Sequence, residues 1–154
     1  MKAMKMLRSV TTLIFALCSA SLAYGQMTPE KVRASVQQLG GAENFVRALA
    51  TNTAKMTGQM IDDQTKLTSV AASGKTLVYY TQLVNFERSA IQDIQELRRR
   101  GASPNARAVC KAPTSTVLIN EFAVEYKYMV YSKSKEYLFE YTFNKVTCAP
   151  DYRW

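Results

Sequence analysis

The chain has no histidine at all. That excludes Ser-His-Asp and Cys-His catalysis and any histidine-based metal centre. Cysteine is scarce too, with three in 154 residues, and no two stand as Cys-x-x-Cys, so a thioredoxin-like redox pair is excluded. Six scattered glycines form no phosphate-cradling loop, and no Gly-x-Ser-x-Gly elbow is present. Acids are outnumbered, 12 against 20 cations, for a net charge of +8. No internal repeat, low-complexity tract or linker divides the chain.

What is present begins with an export signal. Lys2, Lys5 and Arg8 stand without an acid before the apolar run Val10–Leu17. That run is too short to span a bilayer, which takes about 20 apolar residues. Small residues follow in two cleavage frames, Ser21-Leu22-Ala23 and Ala23-Tyr24-Gly25. The pattern predicts a signal peptide over residues 1–25 and a single mature domain over 26–154. A lipid anchor on Cys18 is the rival, but the bulky Leu17 stands where a small residue is required. Removing residues 1–25 leaves 129 residues and lowers the net charge to +5, because Lys2, Lys5 and Arg8 go with them. This size suits one domain. The mild basicity falls short of a nucleic-acid signature, and no later segment is apolar for long enough to span a membrane as a helix. The expected product is soluble and periplasmic, with secretion the second choice.

Two cysteines survive cleavage, Cys110 and Cys148. An even count in an exported chain predicts one disulfide between them. A two-cysteine metal site is the alternative, but zinc takes four ligands and there is no histidine to complete the set. No cofactor or metal is expected.

Thr28-Pro29-Glu30 reads as a helix start, with Val32, Val36 and Leu39 on one face and Gly40-Gly41 as the stop. A second helix runs from Ala42 to about Asn52 on Phe45, Val46 and Leu49. Lys66–Ala72 and Thr76–Val84 are rich in β-branched and aromatic residues and flank the turn Ser73-Gly74. In the second strand Leu77, Tyr79, Thr81 and Leu83 face one way, and Val78, Tyr80, Gln82 and Val84 the other. Ser89-Ala90-Ile91-Gln92 reads as a capping box opening a helix on Ile91, Ile94 and Leu97. Arg98-Arg99-Arg100 would fill its last turn, Gly101 would end it, and Ser103-Pro104 would restart the chain towards Pro113. Thr114–Phe122 is read as a short helix. Val124–Tyr131 and Glu136–Val146 form a closing pair of strands, with Val124, Tyr126, Tyr128, Val130, Tyr137, Phe139, Tyr141 and Phe143 inward. The order helices, hairpin, helices, hairpin predicts an α+β fold, an antiparallel sheet of about four strands packed against helices.

Met60-Ile61-Asp62-Asp63-Gln64-Thr65-Lys66-Leu67, the run Gly74–Asn85 (GKTLVYYTQLVN), Cys110 with Pro113 close behind, a tyrosine-rich strand and Cys148 together resemble a group of small exported Gram-negative proteins of unassigned function. The resemblance spans residues 60–148 and implies a periplasmic setting without naming an activity. At the level of fold the chain is also similar to cystatin-like domains and secretin pilotins, a likeness that carries no function by itself. The absence of an acylation site counts against a pilotin.

Asp62-Asp63 is the one acidic doublet and reads as a turn or as a weak cation site. Glu121, Glu125, Glu136 and Glu140 are the acids from which a hydrolytic pair, about 5–10 Å apart, would have to come. Arg98, Arg99 and Arg100 either complement a helix dipole or grip an anionic surface. Tyr79, Tyr126, Tyr128, Tyr137 and Tyr141, with Tyr80 and Tyr131 beside them, either pack under the helices or form a flat platform for peptide or sugar. The leading functional expectation is a non-catalytic binding protein of the cell envelope, its partner an envelope protein, a glycan or an anionic surface. The alternative is a small hydrolase or lyase using carboxylates and tyrosines on an envelope glycan or peptide.

Overall fold

A computed structural model describes residues 27–153; the expected signal peptide, Cys18 and the cleavage frames lie outside the described residues. Helix α1 (Pro29–Gln38) starts where Thr28 Oγ1 accepts the Lys31 N–H at 3.4 Å and Pro29 needs no partner for a missing N–H. Val32 and Val36 are buried, while Leu39 is turned outward. The chain reverses at Gly40 and Gly41, whose φ angles of +79° and +125° suit glycine. Helix α2 (Ala42–Ala54) buries Phe45, Val46, Leu49 and Ala50.

Strands β1 (Thr65–Ser73) and β2 (Thr76–Leu83) form an antiparallel hairpin. A single 3₁₀ turn (Arg88–Ala90), helix α3 (Ile94–Lys111) and helix α4 (Pro113–Phe122) follow. Strands β3 (Glu125–Tyr131) and β4 (Tyr137–Phe143) form a second antiparallel hairpin. The sheet order is β1-β2-β3-β4. The α+β architecture of four strands and packed helices is therefore as expected, but its centre is not antiparallel. β2 and β3 run parallel, Tyr79 opposite Tyr128. The two-helix crossover between them is long enough to bring the chain back to the same end of the sheet, which a tight turn cannot do.

Three local expectations are corrected around α3. The cap is Asp93, whose Oδ1 accepts the Glu96 N–H at 2.9 Å, not Ser89. Helix α3 continues through Gly101 and Pro104 to Lys111 instead of ending and restarting. Burial of Ala102 and Val109 on either side of the proline holds the helix together, offsetting the hydrogen bond that a ring nitrogen cannot donate. Arg98, Arg99 and Arg100 consequently sit in the N-terminal half of a helix, so complementing the C-terminal dipole does not explain them.

The core lies between the helices and one face of the sheet. Leu77, Phe143, Val32 and Val46 are fully buried there, with Phe45, Leu67, Leu118 and Ile119 almost so. Each such side chain contributes roughly 1.5–3 kcal/mol by leaving water. Cys110 and Cys148 form the expected disulfide, their Cα atoms 5.3 Å apart. The bond ties the end of α3 to the turn that follows β4.

Candidate interaction face

Strand parity divides the tyrosines into two sets. Tyr79, Tyr126, Tyr128 and Tyr141 point to the helices and are 3–6% exposed. Tyr128 is the hub: its ring stacks on Tyr79 at 4.8 Å and on Tyr141 at 5.2 Å, and meets Phe143 edge-on at 5.6 Å. These four do not form a binding platform; they are cross-strand core packing.

Tyr137 departs from the expected parity. Val130 pairs with Phe139, but Tyr131 pairs with Tyr137, so one extra residue, Leu138, sits opposite the step between them. Such a bulge changes the side on which the following residues lie. Tyr137 therefore leaves the inward set and is 50% exposed, while Leu138 is buried. On the outer face it meets the ring of Tyr131 edge-on at 5.9 Å, and Tyr131 lies nearly parallel to Tyr80 at 6.5 Å. Lys127 Nζ pairs with Glu140 Oε1 at 2.8 Å beside these rings. Burial, and then the Glu140 carboxylate, to which its hydroxyl donates, raise the Tyr137 pKa. The bond to Glu140 raises Lys127 likewise. Tyr137 is thus a neutral phenol and Lys127 a cation at physiological pH.

The rim of this face is the β3–β4 loop. Gln82 Nε2 donates to the Lys133 carbonyl at 2.7 Å, and the Lys133 N–H donates to the Phe86 carbonyl at 2.8 Å. Ser132 is fully buried and its Oγ accepts the Glu136 N–H at 3.1 Å. The Ser134 hydroxyl donates to Glu87 Oε2 at 2.6 Å, with Glu136 Oε2 at 3.1 Å. Two carboxylates therefore converge on one surface hydroxyl.

The remaining sequence candidates are engaged elsewhere. Arg33 grips Glu121 through two bonds of 2.7 and 2.6 Å. Glu125 Oε1 accepts from Asn144 Nδ2 at 3.0 Å. Arg98 Nε donates to the Glu140 carbonyl at 2.8 Å, covering the free edge of β4, while Arg99 and Arg100 share Glu96. Asp62 is a structural turn residue: its Oδ1 accepts the N–H groups of Gln64 and Thr65 at 2.7 and 2.8 Å. Burial raises its pKa more than these two bonds lower it. Among the described residues no cluster of three or more metal-ligating side chains occurs, and no helix is long and apolar enough to cross a membrane.

No protein-family model and no curated protein matches the chain. Solved structures do. The fold resembles that of type II secretion pilotins. The pilotin EpsS from Vibrio vulnificus superposes with a TM-score of 0.59 at 13% identity, covering 77% of this chain and 99% of the pilotin. The pilotin AspS from Vibrio cholerae gives 0.52 at 11%, covering 75% and 97%. A protein from Pseudomonas aeruginosa assigned as secreted gives 0.58 at 13%, covering 74% and 96%. At these identities the fold is what is shared.

Proposed function

We propose that this chain is a non-catalytic interaction protein of the bacterial envelope, exported to the periplasm after loss of residues 1–25, and that it docks its partner on the outer sheet face. One observation carries the reading: Tyr80, Tyr131 and Tyr137 converge beside the Lys127–Glu140 pair on the face opposite the buried core. Tyrosine is suited to this role because it offers a flat apolar ring and a polar tip. The fold shared with secretion-system pilotins supports an envelope setting. So does the N-terminal charge and apolar pattern.

The test is a photo-reactive phenylalanine analogue placed at position 80, 131 or 137 of the full chain, with position 51 on α2 as an exposed control. Irradiated cells should yield a discrete adduct from the three sheet positions and none from position 51. Equal labelling at all four, or none, overturns the docking face. Mass spectrometry of the same material should find a chain starting near Tyr24 or Gln26; recovery with Met1 retained contradicts export by cleavage.

A further inference from the structure

The chemistry of this face narrows its occupant. The mature chain carries +5 overall, yet the face itself is balanced: Lys66 and Lys127 are offset by Glu125 and Glu140. On the rim Glu87 and Glu136 stand against Lys133, Lys135 and Arg88, a residual charge of only +1. A polyanion or anionic lipid surface brought here would meet four carboxylates, and its attraction to the cations would be largely cancelled at contact. A protein partner of ordinary affinity buries about 800 Å² per side around a core depleted in charge. Here the centre holds three phenols and an ion pair.

We infer that the outer face binds an uncharged glycan chain, an inference that rests on the reading of this face as the working surface. The tyrosine rings supply apolar planes on which the C–H faces of a pyranose can lie. Around them stand acceptors for sugar hydroxyls, the carboxylates of Glu140, Glu136 and Glu87, and donors, Lys127 Nζ and the phenols. Hydroxyls that both donate and accept match this mixture, whereas a ligand carrying one sign of charge does not. At physiological pH Tyr137 is neutral and Lys127 charged, both with raised pKa values, so both carry the protons they donate.

The experiment is a titration of the ¹⁵N-labelled mature protein, followed by amide chemical shifts. The probes are tetra-N-acetylchitotetraose, maltohexaose and a cello-oligosaccharide, with a heparin fragment as the anionic control. At least one neutral probe should move resonances confined to residues 78–82, 127–131 and 137–140. Tyr131→Ala and Tyr137→Ala, each folded by its spectrum, should weaken that binding about tenfold, and Lys127→Ala more weakly. No shift with any neutral probe up to about 10 mM overturns the glycan assignment, as does equal or tighter binding of heparin on the same residues. Photo-adducts to a protein from positions 80, 131 and 137, with no glycan shift, would sink this inference and leave the docking face standing. Loss of both would sink the two together.

Discussion

The two faces of the sheet use the same residue type for opposite ends. On the inner face Tyr79, Tyr126, Tyr128 and Tyr141 are nine-tenths or more buried, and the ring of Tyr128 packs against those of Tyr79, Tyr141 and Phe143. On the outer face Tyr131 meets both Tyr80 and Tyr137, and all three remain partly open. Both sets stand on the same strands, some at neighbouring positions. What differs is parity, and at Tyr137 a single bulged residue reverses it. A tyrosine's role here is set by the side of the sheet it is on, not by its chemistry.

Substitution should break the symmetry sharply. Tyr128→Ala removes the ring on which Tyr79 and Tyr141 stack, and should cost about 3–5 kcal/mol, the range for deleting a buried aromatic. Tyr137→Ala should cost within about 0.5 kcal/mol, as surface changes usually do. Urea unfolding followed by far-ultraviolet circular dichroism measures both. Similar losses for the two would remove the distinction.

The disulfide comes next. It lies beyond β4, outside both tyrosine sets, and closes a loop of 38 residues. Chain entropy gives about 4 kcal/mol for such a loop, an upper figure. Cys148→Ser should therefore lower the melting temperature by several degrees while leaving the outer-face photo-adducts intact. Cys110 and Cys148 both reactive as free thiols in the unreduced, denatured protein would show the bond absent.

The smallest effect belongs to Asp62, in the turn before β1. Its folded pKa is raised, burial being the largest cause, so the folded state holds this proton more tightly than the unfolded chain. The ionised group then costs stability, increasingly as pH rises from the ordinary carboxylate range through the raised value, and fully above it. Asp62→Asn keeps the Oδ1 acceptor for Gln64 and Thr65 and removes the charge. It should raise the melting temperature slightly at neutral pH and change nothing in acid below that range. A fall at neutral pH would mean that the charge itself supports the turn.

Much of this was legible in the residues. Thr28-Pro29 marked the start of α1 because the cap and the ring nitrogen act within four residues. Alternation in β2 put Tyr79 and Tyr80 on opposite faces without saying which is buried, and an even cysteine count paired Cys110 with Cys148. Features that depend on distant partners were not legible. The parallel pairing of β2 with β3 depends on how the α3–α4 crossover lies on the sheet. The bulge at Leu138 has no glycine to announce it, so Tyr137 read as a core residue. The Ser89 capping box was a local match that Asp93 displaced, and Pro104 looked like a boundary because its neighbours' burial cannot be seen in a pattern.

The division of the tyrosines is tested most directly by hydroxyl-radical footprinting of the native protein, with oxidation at each tyrosine read by peptide mass spectrometry. Tyr137 should react fastest, followed by Tyr131 and Tyr80, while Tyr79, Tyr126, Tyr128 and Tyr141 stay protected until the protein is unfolded. Oxidation of Tyr128 or Tyr141 at the rate of Tyr137 in the native state, or protection of Tyr137 equal to theirs, would contradict the assignment of the two faces.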